Sequence, residues 1–124
     1  MKGNFDNSSP IFMQIVEQML GEIASGKLAP GQKVEAVRTM ALEYKVNPNT
    51  MQKSLEKLGD MGFLYTERTS GRFVTTDTQK ISELCQKIPK EITERFVKEM
   101  LDFGVKDDEI IGFVEKTLKE RNDA

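Results

Sequence analysis

Histidine and tryptophan are absent from this chain, and its only cysteine is Cys85. Because a lone cysteine has no partner, no disulfide can form within the chain. Zinc sites are built mainly from Cys and His, so the same shortage argues against a zinc site. The lack of histidine also removes the commonest general base of enzymes. We therefore expect no enzyme, no metal and no cofactor.

Long apolar runs are missing as well. No stretch approaches the roughly 18 consecutive apolar residues that a membrane span needs, and residues 1–9 lack the apolar segment of a signal peptide. Hydrophobic residues make up 38% and charged residues 31% of the 124 residues, a globular rather than a disordered composition. We expect a cytoplasmic protein without a membrane partner, built as one small domain with a helical appendage.

Charge is unevenly distributed along the chain, although the net charge is only −2. Residues 1–77 contain nine basic and nine acidic side chains, whereas residues 78–124 contain nine and eleven, so the deficit lies in the C-terminal part. Between Lys45 and Val74 there are five basic and three acidic residues. A phosphate-facing surface would show such a local surplus, and so would an ordinary solvated surface.

A capping pattern opens the first predicted helix. Ser9 can accept a hydrogen bond as the N-cap, and Pro10 suits the first helical position, where its missing N–H needs no partner. Apolar residues then recur at steps of three and four, which is helical spacing. Gly26 marks the end of this helix at about Ser25.

Two more helices, separated by a tight connection, are predicted in the middle of the chain. The first covers residues 37–44, and the second runs from Pro48 to about residues 59–61 with Asn47 as its N-cap. Two helices joined by so short a turn, the second with a polar outer face, are typical of a helix-turn-helix. The side chains expected to face inward are Val37, Met40, Ala41, Met51, Leu55 and Leu58, with Leu42 at the edge.

A β-hairpin is predicted directly after the helix-turn-helix. Residues 63–66 and 72–76 are rich in β-forming residues, and residues 67–71 between them make a polar loop that contains a glycine. A hairpin that follows a helix-turn-helix is the arrangement of a winged helix. The pattern therefore predicts a mainly α fold with a small β-hairpin wing.

Helical spacing resumes after Asp77 and predicts two C-terminal helices, at residues 78–101 and 107–121. Pro89 lies inside the first of them and should kink that helix or split it in two. A 47-residue tail is too small to bury its own core, so it packs on the winged helix or, as we favour, on a second copy of the chain. The predicted dimer-interface residues are Ile88, Ile92, Phe96, Met100, Phe103, Ile111, Val114 and Leu118.

Polar residues at the start of the third helix are candidates for reading DNA bases, since recognition helices present such side chains from their first turns. An ordinary solvated helix face would show the same spacing. Arg38 and the hairpin loop could hold phosphates or equally be unremarkable surface residues. The candidate base readers are Asn49, Thr50, Gln52 and Lys53, and the other candidate DNA contacts are Arg38, Asn47, Arg68, Thr69, Ser70, Gly71 and Arg72.

Four motif blocks run in a fixed order through nearly the whole chain. They read PIFMQI at residues 10–15, SGKLAPG at 25–31 with VRTMA at 37–41, VNPNTMQKSL at 46–55 and SGRFV at 70–74. In this order and spacing they resemble the GntR superfamily of transcriptional regulators, specifically its short YtrA-like branch. The resemblance implies a winged helix-turn-helix with a C-terminal two-helix dimerisation tail.

The resemblance also implies a function. It assigns residues 1–77 to DNA binding and residues 78–124 to dimerisation. It implies a homodimeric repressor on a palindromic double-stranded DNA operator, in a branch that commonly controls transporter operons. The position of Arg38, the start of the third helix and the wing would contact the operator. No effector ligand is indicated.

Some residues depart from the pattern of the family, and two other functions stay open. Residues 34–36 read Val-Glu-Ala where the family usually has Leu-Pro-Ser, and the loss of a serine cap typically costs about 1 kcal/mol. A winged helix could instead dock a partner protein, which the balanced charge of residues 1–77 would permit. A small molecule could also bind near Phe96, Met100 and Phe103, although nothing polar converges there in the sequence.

Overall fold

The computed structural model describes residues 2–123, which are mainly helical. The elements in chain order are α1 (Ile11–Ser25), α2 (Val37–Tyr44), α3 (Pro48–Asp60), β1 (Leu64–Glu67), β2 (Gly71–Val74), α4 (Thr78–Asp102) and α5 (Asp107–Asp123). The chain divides into two compact units, the first ending at Cys85 and the second beginning at Gln86. Between residues 2 and 123, no helix combines the length and the apolar character needed to cross a membrane.

The core of the first unit forms where α1 and α2 pack against α3, and α3 packs against β1. Met51, Leu55 and Leu58 of α3 are fully buried, as the sequence pattern predicts. Truncating one such side chain to alanine typically costs about 2–5 kcal/mol, because a cavity remains. Since one face of α3 is fixed in the core, its opposite face points away from the core.

The start of α1 differs from the prediction. The helix begins at Ile11, and Pro10, with a ψ of 143°, is its N-cap rather than its first residue. No side chain caps the helix, so the predicted Ser9 cap is wrong. Instead, Gln14 Nε2 donates hydrogen bonds to the backbone oxygens of Ser9 (2.7 Å) and Asp6 (2.9 Å), and the Asp6 N–H donates back to Gln14 Oε1. The buried Gln14 amide therefore ties the preceding segment onto α1.

α2 has the predicted bounds, and Met40 and Ala41 are buried as predicted, but the other residues of its buried face differ. Val37 is only half-buried, and Leu42, expected at the edge of the core, is 80% exposed. Tyr44, which the pattern did not identify, is fully buried, and this burial, with Glu22 nearby, raises the pKa of its phenol well above the ordinary value. Ala36 is the N-cap of α2, and no side chain caps the helix, as expected from the missing serine.

The hairpin pairs β1 and β2 in antiparallel register, with Tyr65 opposite Phe73. Its turn contains only residues 68–70, because the ends of the predicted loop are paired in the strands. A short third segment extends this sheet on the β2 side. Its hydrogen bonds run from the Val34 N–H to the Arg72 carbonyl and from the Val74 N–H to the Gln32 carbonyl, both at 2.9 Å. The wing is thus held to the chain that precedes α2.

The first unit continues beyond the expected boundary at residue 77 and includes the start of α4. Leu84 is buried there, and the Lys80 ammonium lies 5.1 Å from the centroid of the Phe63 ring. The Cys85 thiol donates a hydrogen bond to the Ala24 carbonyl at 3.2 Å. These contacts join the start of α4 to the rest of the first unit.

The second unit consists of the rest of α4 and of α5. α4 passes through Pro89 as one continuous helix, so the split that we considered does not occur. The Thr93 hydroxyl donates to the Pro89 carbonyl at 2.8 Å. Ile110 is buried in this unit, whereas most of its other apolar side chains are exposed or half-buried.

Candidate nucleic-acid interface

The candidate interface is built around the start of α3. Asn47 has an extended conformation, and its Oδ1 accepts a hydrogen bond from the Asn49 N–H at 2.8 Å. Pro48 follows as the first helical residue, where it needs no hydrogen-bond donor. The predicted cap is therefore confirmed. It fixes the residue at which α3 begins and thus the direction in which the next polar side chains point.

The four candidate base readers lie away from the fully buried residues of α3. Asn49 and Lys53 are exposed, whereas Thr50 and Gln52 are half-buried. A helix turns about 100° per residue, so Asn49 and Lys53 lie opposite the core, whereas Thr50 and Gln52 lie at the two edges of the polar face. The sequence pattern predicted this polar face, but it did not predict the contacts that Gln52 and Lys53 make within the chain.

Gln52 and Lys53 each have a partner within the first unit. Gln52 Nε2 donates to Glu56 Oε1 at 2.9 Å, and the Lys53 ammonium lies 4.0 Å from the centroid of the Phe12 ring. Spacing of four residues along a helix could have predicted the first contact. The second depends on the packing of α1 against α3, for which the local sequence has no signal.

Arg38 is exposed in the first turn of α2, and it forms no salt bridge within residues 2–123. Glu43, an acid on the same helix, binds Lys2 with a distance of 2.8 Å from Nζ to Oε2. The hydrogen bond from Lys2 lowers the pKa of Glu43, and a side-chain hydrogen bond with Glu43 raises the pKa of Glu35. The guanidinium of Arg38 is therefore open to a phosphate group.

The tip of the wing carries the remaining candidates. Arg68, Thr69 and Ser70 form the exposed turn, while Gly71 and Arg72 belong to β2. Gly71 has a φ of 104°, which an L side chain rarely adopts. A Cβ added there would lie 3.4 Å from the Cε of Lys33. Lys33 thus joins the two arginines of the wing, and the sequence pattern did not single it out.

The predicted dimer-interface residues lie in the second unit, and none of them is fully buried. Ile88, Phe96 and Met100 are half-buried, and Ile92, Phe103, Ile111, Val114 and Leu118 are exposed. Phe103, which is 81% exposed, is the most exposed of the five. All eight of these apolar side chains therefore remain at least partly accessible in a single chain.

Sequence comparisons identify relatives among bacterial regulators. The chain is 35% identical over 120 residues to YhcF, an uncharacterized HTH-type transcriptional regulator of Bacillus subtilis (strain 168), covering 97% of this chain and 98% of the relative. It is also 33% identical over 73 residues to the HTH-type transcriptional repressor YtrA of the same organism, covering 59% of this chain and 56% of YtrA. No protein-family model matches the chain.

Structure comparisons agree. A GntR family transcriptional regulator from Listeria monocytogenes aligns with a TM-score of 0.82 and 38% identity, over 90% of this chain and 98% of that one. The DNA-binding domain of AraR, solved in complex with operator ORX1, aligns with a TM-score of 0.53 and 26% identity, over 60% of this chain and 92% of that one. These relatives are transcriptional regulators and not enzymes. The chain belongs to the GntR superfamily of transcriptional regulators, with a winged helix-turn-helix DNA-binding fold and a relationship to the short YtrA-like branch.

Proposed function

We propose that this regulator is a repressor that binds a palindromic DNA operator as a homodimer. The observation that carries the proposal is the capped start of α3, from which polar side chains project opposite the buried face. The major groove is about 12 Å wide and admits such a helix. Support comes from YtrA, which is named a repressor, and from AraR, whose DNA-binding domain was solved with an operator.

The side chains at the interface fall into two groups by chemistry. Asn49 and Gln52 have amides that can bind adenine through two hydrogen bonds, and Thr50 can offer a hydroxyl or a methyl group to a base edge. Lys53 lies on the same face of α3. The residues proposed to hold the DNA backbone are Arg38, Asn47, Arg68, Thr69, Ser70, Gly71 and Arg72, through side chains or backbone N–H groups.

A second copy of the chain would cover the exposed apolar residues of the second unit. Two copies related by a twofold axis would place two α3 helices on half-sites separated by one turn of DNA, about 34 Å. We expect Phe103→Asp to convert the dimer to a monomer in analytical ultracentrifugation, because the charge would be buried at the interface. Asp123→Asn, which changes an exposed acid near the end of α5, is the control. A Phe103→Asp protein that stays dimeric would contradict this interface.

Selection of bound sequences from a random double-stranded DNA library tests the DNA-binding part of the proposal. The selected sites should contain an inverted repeat. The double variant Gln52→Ala/Lys53→Ala should then bind the selected site more weakly in a gel shift, whereas Lys27→Ala, which removes an exposed charge beyond the far end of α1, should bind it as wild type does. If the double variant binds as tightly as wild type, α3 does not read this site.

The proposed setting is the control of a transporter operon, which rests on the resemblance to the short YtrA-like branch. Deletion of the gene should raise the transcripts of the adjacent operon. Quantitative measurement of those transcripts tests the sign of regulation, since a fall in the deletion strain would indicate an activator. Restoring the gene with the Gln52→Ala/Lys53→Ala substitutions should not return the transcripts to the wild-type level.

A further inference from the structure

Lys53 is held against an aromatic ring from another helix. Its Nζ lies 4.0 Å from the centroid of the Phe12 ring, closer than the other two such contacts in residues 2–123, which measure 5.1 and 5.8 Å. A cation within about 6 Å of a ring centroid is attracted by the negative face of the ring. A lysine head otherwise samples many rotamers on its flexible stem. The ring therefore restricts where this positive charge lies.

The position of Phe12 is set by the core rather than by the surface. Ser54 is fully buried, and its hydroxyl lies 3.1 Å from the Phe12 carbonyl and 2.9 Å from the Thr50 carbonyl. The single hydroxyl hydrogen is shared between these two acceptors. This contact joins the first turn of α1 to the first turns of α3, so the Phe12 ring is brought to the side of α3 on which Lys53 lies.

The contact draws the lysine toward one edge of α3. At 100° per residue, Asn49 and Lys53 are neighbours near the middle of the polar face, and Ser54 is one step closer to the core. Because Phe12 lies on the Ser54 side, it attracts the Lys53 ammonium away from the middle and toward α1. Gln52 bonds to Glu56 on the other side of the face. Asn49 is left at the centre.

The positive charge of Lys53 has no acidic partner in the described part of the chain. Glu56 is one turn away, but it forms no salt bridge with Lys53 and instead accepts a hydrogen bond from the Gln52 amide. A compact, uncompensated ammonium at the edge of a groove-facing helix suits a phosphate of the DNA backbone, which borders the groove on both sides. It suits a base edge less well, because base edges lie in front of the middle of the helix.

We propose that Phe12 is a positioning residue that holds the Lys53 ammonium for a DNA phosphate, so that Lys53 contributes affinity and not base choice. This role differs from the base-reading role that the sequence pattern gives to Lys53. It rests on the proposed function, because it requires that α3 enters the groove. It predicts that the effects of Phe12 and Lys53 on DNA binding are not independent.

Four variants test the proposal on the selected DNA site and on a scrambled site, over a series of salt concentrations. Lys53→Gln should reduce the slope of log K against log salt by about 0.9, the value for one phosphate contact, and should weaken binding to both sites by a similar factor. Phe12→Leu should weaken binding about two- to fivefold, as expected for the loss of a partly exposed cation–π contact. Phe12→Tyr retains the ring and should bind as wild type does. Lys27→Gln is the charge control.

The double variant Phe12→Leu/Lys53→Gln separates positioning from a merely structural role. It should bind DNA no more weakly than Lys53→Gln alone, although its thermal unfolding midpoint carries the full effect of Phe12→Leu. An additional loss of affinity in the double variant would overturn the positioning role. A change of base preference at one position in Lys53→Gln would overturn the phosphate role. If wild type selects no DNA from the library, the proposed function itself fails, and this proposal fails with it.

Discussion

Asn47 links the stability of the first unit to the surface proposed to face DNA, and substitutions there can separate the two. Asn47→Ala removes the oxygen that accepts from the Asn49 N–H at 2.8 Å. Asn47 is exposed, so water can bind the freed Asn49 N–H. The loss of stability is therefore smaller than for a buried N–H that has no hydrogen-bond partner. We expect a loss of about 1 kcal/mol in the free energy of unfolding, within the range of roughly 0.5–2 for lost caps. That corresponds to roughly a fivefold shift in the folding equilibrium.

Asn47→Asp is the informative partner of this variant. Aspartate caps a helix about as well as asparagine, so the free energy of unfolding should stay near the wild-type value. Its carboxylate would, however, face the phosphates and repel them. Binding to the selected DNA should therefore weaken, most strongly at low salt, because salt screens charges that are exposed to solvent.

Urea denaturation followed by circular dichroism, at a fixed protein concentration, measures the first effect, and fluorescence anisotropy with labelled DNA measures the second. The slope of the unfolding free energy against urea should not change, since the same surface is exposed on unfolding. An Asn47→Ala protein as stable as wild type would refute the capping argument. An Asn47→Asp protein that binds DNA like wild type at every salt concentration would refute the placement of this helix end beside the backbone.

Two glycines and one ion pair give further tests. Gly71→Ala should destabilise the protein by roughly 1 kcal/mol or more, because alanine is strained at a φ of 104°. Gly21→Ala, in the interior of α1 with free space around it, should instead stabilise the protein by roughly 0.5–1 kcal/mol. Thermal unfolding midpoints that shift equally in the two variants would contradict both predictions. Lys2→Gln should raise the pKa of Glu43, since the Lys2 hydrogen bond lowers it, and carboxyl titration by NMR would show an unchanged pKa if the pair does not form in solution.

Local signals in the sequence were sufficient to locate most helices. α2 has the predicted bounds, and α3 begins at the predicted Asn47-Pro48 pair, because a cap and a proline act on the residues next to them. Gly26 ends α1 with a φ of 85°, which glycine adopts at little cost. The polar face of α3 was predictable for a similar reason, since periodicity alone separates it from the buried face.

Features that depend on packing between distant residues were not predictable in this way. The Ser9 cap was wrong because the side chain of Gln14 binds the carbonyl of Ser9. The burial of Tyr44 was missed because it requires the segment before α1 and the end of α2 to lie together. The contact between Lys53 and Phe12 similarly depends on how α1 packs against α3. The capped start of α3 and its polar face could thus be predicted from sequence, but Lys33 beside the wing and the contacts that restrain Gln52 and Lys53 could not.

The balanced charge of residues 1–77 was a reason to consider a protein partner instead of DNA, and the arrangement of the charges weakens that reason. The net charge counts every acidic side chain equally, whereas the local electrostatic potential depends on which of them are neutralised by a neighbouring basic side chain. Glu43 forms a salt bridge with Lys2, whereas Glu56 accepts a hydrogen bond from the neutral Gln52 amide and keeps its charge. Arg38 and Lys53 form no salt bridge within residues 2–123. Their positive charge is therefore available to phosphates, and a nearly neutral unit can still present a basic surface beside α3.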